Sequence, residues 1–162
     1  MANYFDNIAG TKFPVCESSL LKATVAGHIF SLKVDKDTNN GAIVSVGNFV
    51  EEQVFAAKDY VAGDKPCLVL TTPIAYNGRK AWSGEEYFYN AKGSIVRAYE
   101  LHVGDIYTIS EDAFVGDPAV GKFIDATYTV ADAAGENGFV GEIIEEVTYT
   151  NSTSYRIAVR AI

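Results

Sequence analysis

The most constraining feature of this chain is the kind of apolar residue it uses. Val, Ile and Thr number 17, 12 and 11, whereas Leu numbers six and the single Met is the first residue. Side chains branched at Cβ lose rotamer freedom against the preceding turn of a helix but pack well on a pleated surface, so the bias favours strands. Ten Tyr and nine Phe push the same way. Alternation with period two supports this in several stretches. In 24–34, Phe30, Leu32 and Val34 oppose Ser31 and Lys33. In 122–130, Ile124, Ala126, Tyr128 and Val130 oppose Asp125, Thr127 and Thr129. Near the end, Tyr155, Ile157, Val159 and Ala161 oppose Arg156 and Arg160. Further strands are expected at 42–46, 67–72, 95–101, 105–110 and 139–149. The stretch 51–60 reads equally as helix or strand.

Reversals between these strands need residues that tolerate positive φ. Asn40-Gly41, Asn77-Gly78 and Asn137-Gly138 supply them, and Gly63-Asp64, Gly104-Asp105 and Gly116-Asp117 mark other corners. Asn40-Gly41 is expected to be a hairpin tip between 24–34 and 42–46. The fold expected is all-β, an antiparallel sandwich or barrel of eight or nine strands. Residues 1–20 form an N-terminal arm or edge segment, and 21–162 a single β-rich domain. In that first segment Tyr4, Phe5 and Ile8 have no clear place in either period. It reads as an edge strand or tail, or as an arm that becomes ordered on a partner.

Charge restricts the partners. Thirteen Lys and Arg stand against 21 Asp and Glu, a formal net charge of −8. Affinity for nucleic acid and for anionic membranes rests on cationic side chains, so neither is expected as a partner. No apolar run approaches the ~20 residues of a membrane helix, and the N-terminus lacks a basic leader, which gives the reading of a soluble chain made in a cytoplasm. Cys16 and Cys67 are in no CxxC pair and are expected to be free, buried thiols.

Catalytic constellations are sparse. His28 falls on the alternation of Phe30 and Leu32 and reads as a core or rim histidine. His102, before Gly104-Asp105, reads as a turn residue. The doublets Glu51-Glu52 and Glu85-Glu86, and Glu142 with Glu145-Glu146, place neighbouring carboxylates on opposite faces of a strand, unlike the paired carboxyls of a glycosidase. Asp35 to Gly41 resembles the start of a calcium loop, but the glycine comes one position late and Val46 stands where a bidentate Glu belongs, so a simple loop is expected. No catalytic residue, cofactor or metal is expected. The densest aromatic cluster, Tyr76, Trp82, Tyr87, Phe88 and Tyr89, suits an end plug, a protein contact or a sugar platform.

From Phe88 the chain runs Phe88-Tyr89-Asn90, Lys92-Gly93, then Val96-Arg97-Ala98-Tyr99-Glu100-Leu101 and Val103-Gly104-Asp105-Ile106-Tyr107-Thr108-Ile109-Ser110. This ordered series resembles small structural proteins of tailed bacteriophages, encoded beside the major capsid protein and regarded as head decoration, cement or head-fibre proteins. The Leu68-Val69-Leu70 strand followed by Thr72-Pro73 is similar to that family too. The resemblance implies a non-enzymatic virion protein on the capsid exterior that reinforces contacts between major capsid subunits, with that protein, and its own copies as a homo-oligomer, as partners. The residues expected to make the contact are Tyr4, Phe5, Ile8, Trp82, Tyr87 and Tyr89. The rival reading is a carbohydrate-binding or host-adsorption module, which would also be all-β with surface aromatics.

Overall fold

The computed structural model describes residues 13–23, 26–72, 88–149 and 152–162. These form eleven strands: β1 (Cys16–Leu20), β2 (Ile29–Lys33), β3 (Ile43–Glu51), β4 (Val54–Asp59), β5 (Cys67–Val69), β6 (Ile95–Glu100), β7 (Ile106–Ser110), β8 (Phe123–Ile124), β9 (Val130–Ala131), β10 (Val140–Tyr149) and β11 (Ser152–Ala161). The helical elements among the described residues are two 3₁₀ turns, Ala26–His28 and Glu111–Ala113. None is long and apolar enough to cross a membrane.

The strands divide into a closed five-stranded barrel, in the order β2-β4-β3-β5-β6, and a six-stranded antiparallel sheet, β1-β7-β11-β10-β8-β9. The all-β expectation is met, and of the architectures named a barrel is present beside an antiparallel sheet, although the barrel is not wholly antiparallel because β2 and β4 run parallel. Alternation along the barrel strands assigns their side chains. Val44, Cys67, Val69, Val96 and Ala98 point inward and pack with Leu32 and Val34. Small and branched side chains suit so narrow a bore. The neighbours on the other face, Ile43 and Leu68, point outward and join Tyr107, Ile109, Ile143, Ile157 and Val159 of the sheet in a second core. A short strand buried on both faces must be apolar throughout, which is why residues 67–69 show no alternation.

Three expectations need correction. Asn40-Gly41 is a turn, but not a hairpin tip: β2 has β4 on one side, in parallel, and β6 on the other, so β3 cannot pair with it. The 34–42 connection instead pairs Thr38 with Asn90. Second, 122–130 is not one strand. The Asp125 carboxylate accepts hydrogen bonds from the Thr127 and Thr129 amides at 2.8 and 3.0 Å, and Tyr128 adopts φ 60°, so the chain reverses between β8 and β9. Local capture of backbone amides by an Asp competes with the strand ladder and wins here. Third, within the described part of 24–34 the strand is Ile29–Lys33, which follows a 3₁₀ turn.

The ambiguous 51–60 stretch is β4. It is reached by a tight reversal in which Glu52 and Gln53 both have positive φ, 35° and 71°, the backbone a two-residue hairpin loop requires. Of the N-terminal segment, Cys16–Leu20 is an edge strand antiparallel to β7. Asn77-Gly78 lies outside the described residues.

Candidate functional site

The roots of the two segments expected to contact a partner lie together. The N-terminal segment enters the described structure at Phe13, and the aromatic segment leaves it at Thr72 and returns at Phe88. Phe13 stacks on Tyr89 with ring centroids 5.0 Å apart. Beside β1 lies a cleft of about 440 Å³, whose walls include Pro14, Cys16 and Ser18 on one side and Leu70, Thr72 and Tyr99 on the other. The Asn40 side chain ties this region down. Its amide donates to the Thr71 carbonyl at 2.8 Å, and its oxygen accepts from the Thr71 amide at 3.0 Å and from the Asn90 side chain at 3.2 Å. Within the calcium-like stretch the Asn40 oxygen is therefore engaged in anchoring. Asp37 likewise accepts from the Lys92 amide at 2.8 Å.

Of the six expected contact residues, Tyr89 is described, and it is 38% exposed. Tyr4, Phe5, Ile8, Trp82 and Tyr87 lie outside the described residues. Sequence reasoning missed Phe49, which is 64% exposed and stacks edge-on against Phe55 with centroids 5.9 Å apart. A bulge between Val46 and Phe49 shifts the register there, so alternation could not have placed it.

Three of the doublet carboxylates form ion pairs. Glu142 meets Arg160 and Glu145 meets Arg156 across the β10–β11 hairpin, and Glu51 meets Lys33 at 3.8 Å. Glu85 and Glu86 lie outside the described residues. Both cysteines are free and buried. Burial pushes the Cys16 thiol far above its ordinary range, and burial together with the Glu100 charge pushes Cys67 up to about 12.

A second cluster occupies one mouth of the barrel. Inward alternation along β6 runs Val96, Ala98, Glu100, so the last of these carries a carboxylate where an apolar side chain would be expected; its side chain is 8% exposed. His28, immediately before β2, continues the register of Phe30 and Leu32 to the same mouth, as a rim histidine. Its Nδ1 lies 3.1 Å from Glu100 Oε2. His102 Nε2 lies 3.7 Å and Lys65 Nζ 3.2 Å from the other carboxylate oxygen. The two imidazoles meet edge to face at 5.3 Å. Burial works to raise the Glu100 carboxyl, but the hydrogen bonds from His28 and Lys65 and the nearby positive charges outweigh it and hold the group below its ordinary 4.5.

Asp105, wholly buried, supports this mouth from behind. Its two oxygens accept the Lys22 amide at 3.0 Å and the His102 amide at 2.9 Å. With Gly104 at φ 90°, these bonds set the turn between β6 and β7, so His102 holds the turn position expected of it. Two histidines 74 positions apart could not have been joined from sequence, because only closure of the barrel brings them to one rim.

No family model matches the chain, and neither curated proteins nor solved structures give a match.

Proposed function

We propose that this protein is a non-enzymatic decoration protein of a tailed-phage head, binding the capsid exterior and reinforcing contacts between major capsid subunits. One observation supports this most directly: the stems of both aromatic-bearing segments converge at edge strand β1, where Phe13 packs on Tyr89. The two segments that carry the expected anchors thus join the described structure at neighbouring points, Phe13 and Tyr89. β1 holds the outermost position of its sheet among the described strands, and an outer strand is a template for pairing with a segment of another chain. The net charge of −8 favours a protein partner over nucleic acid.

Cosedimentation of the purified full chain with empty heads that lack it tests the reading. Saturable binding, lost on deletion of residues 2–10 while the fold persists, is the expected result. Failure to bind heads together with retention on host cell-wall glycans would overturn it in favour of a host-adsorption module.

A further inference from the structure

We infer that His28, Glu100 and His102 form a binding site for a divalent transition metal of the zinc type at the mouth of the barrel. Residues 28, 100 and 102 match no ligand spacing that would announce a metal in the sequence. The inference does not depend on capsid binding.

Each of the three residues offers one ligand atom, and these atoms lie within 4.8 Å of one another. Tetrahedral zinc with ligands at about 2.0–2.1 Å places neighbouring donor atoms about 3.3 Å apart. The His28 Nδ1 to Glu100 Oε2 separation of 3.1 Å already fits; His102 Nε2 stands 3.7 Å from the other carboxylate oxygen, Oε1, so the set closes either through both oxygens or by the His102 ring moving toward Oε2. Both imidazoles have room for it, being 43% and 31% exposed at the side chain. Their second attachment is to a stiff frame, since β2, β5 and β6 are ladder-paired on both sides in the closed barrel.

The far nitrogen of His102 is the second observation. His102 Nδ1 is buried without a hydrogen-bond partner, yet Asp105 Oδ2 stands 3.8 Å away. A metal on Nε2 fixes the proton on Nδ1, the nitrogen that stands near the Asp105 carboxylate. A carboxylate behind a ligating histidine is the usual outer support of such a site.

The ligand chemistry selects the ion. Two imidazoles and one carboxylate suit zinc and its neighbours in the first transition row, whereas magnesium and calcium take oxygen ligands. Three protein donors leave a further position for water. Lys65 is the resident competitor: its ammonium neutralises Glu100, but its side chain is 76% exposed and free to withdraw into solvent.

The test uses full-length protein, dialysed against chelator and titrated with zinc sulfate in competition with a chromophoric chelator. One zinc per chain is expected, with no comparable response to magnesium. H28A and H102A should each weaken zinc by at least about 100-fold, and D105N by roughly 10-fold, as outer carboxylates do. K65A should bind zinc at least as tightly as the unaltered chain. Circular dichroism of each variant checks folding. Nitrogen-15 spectra of the unaltered protein need no variant, and should show His102 Nε2 and His28 Nδ1 shifting on zinc addition. Less than one zinc bound per chain, or binding that survives in the folded H28A/H102A double variant, would overturn the site. So would zinc-induced shifts at neither of these nitrogens.

Discussion

The Tyr128 hydroxyl donates to the carbonyl oxygen of Gly41 at 2.6 Å, joining the β8–β9 turn of the sheet to a turn of the barrel 87 positions away. Tyr128 has one hydroxyl hydrogen, so at the 3.1 Å contact between the Tyr128 and Tyr107 hydroxyls the donor must be Tyr107. All three groups are buried. Y128F should therefore cost about 1–3 kcal/mol, because it leaves the Gly41 carbonyl and the Tyr107 hydroxyl without their partner away from water. Urea denaturation checks this, and an unchanged midpoint would show that the link contributes nothing. G41A should cost more. Gly41 has φ 87°, and an added Cβ would collide with Ile109 Cδ1.

Stability should decline on the alkaline side. Burial, assisted by neighbouring acidic groups, raises the Cys16 thiol above its ordinary 9.0 and the Tyr107 and Tyr128 phenols above their ordinary 10.0. An acid raised in the folded state holds its proton there while the unfolded chain has already released it. The contribution is complete below the unfolded values and is lost as pH rises from about 9 toward the folded ones. The thermal midpoint should thus fall progressively above about pH 9, and the two buried tyrosines should ionise only with unfolding, as read by ultraviolet absorbance. A midpoint independent of pH up to about 11 would contradict the burial argument.

On the proposed function, capsid attachment should depend on the N-terminal segment more than on Trp82. Ordering a tail costs on the order of 1–2 kcal/mol per residue in backbone entropy, and each buried aromatic returns roughly 1.5–3 kcal/mol. Tyr4, Phe5 and Ile8 therefore offset only part of that cost, and pairing beside β1 or multivalent attachment must add to it. Deleting residues 2–10 should leave β1 and the fold intact but strip the protein from heads, whereas W82A weakens attachment less. Wild-type saturation by the deletion variant would move the contact surface to the β-scaffold, where Phe49 is the first residue to substitute.

Apolar burial should outweigh surface charge in the sheet. Ile143 is completely buried between the sheet and the barrel, so I143A should lose about 2–5 kcal/mol. Arg160 and Glu142 face solvent across the β10–β11 hairpin with side chains 50% and 28% exposed, and R160A should lose no more than about 1 kcal/mol. Denaturation of the two variants in parallel checks the ranking. Equal losses would mean that the ion pair anchors the hairpin.

The sequence by itself determined the β-rich class, most strands, the buried thiols and the place of His28 on the alternation of Phe30 and Leu32, at core or rim. Those properties follow from side-chain branching and a period of two, which are local and survive in any arrangement of neighbours. It also marked Gly104-Asp105 as a turn, since the backbone there needs φ above zero. Tertiary structure alone decided that β4 lies between β2 and β3, because strand order is set by which edges remain open as the barrel closes. It decided that Tyr128 reverses the chain, where its alternating pattern implied a continuous strand, since amide capture by Asp125 and a distant carbonyl at Gly41 compensate the strained backbone. The gathering of His28, Glu100 and His102 belongs to the same category. Each is unremarkable in its own stretch, and only the register of β2 against β6 brings them to one mouth.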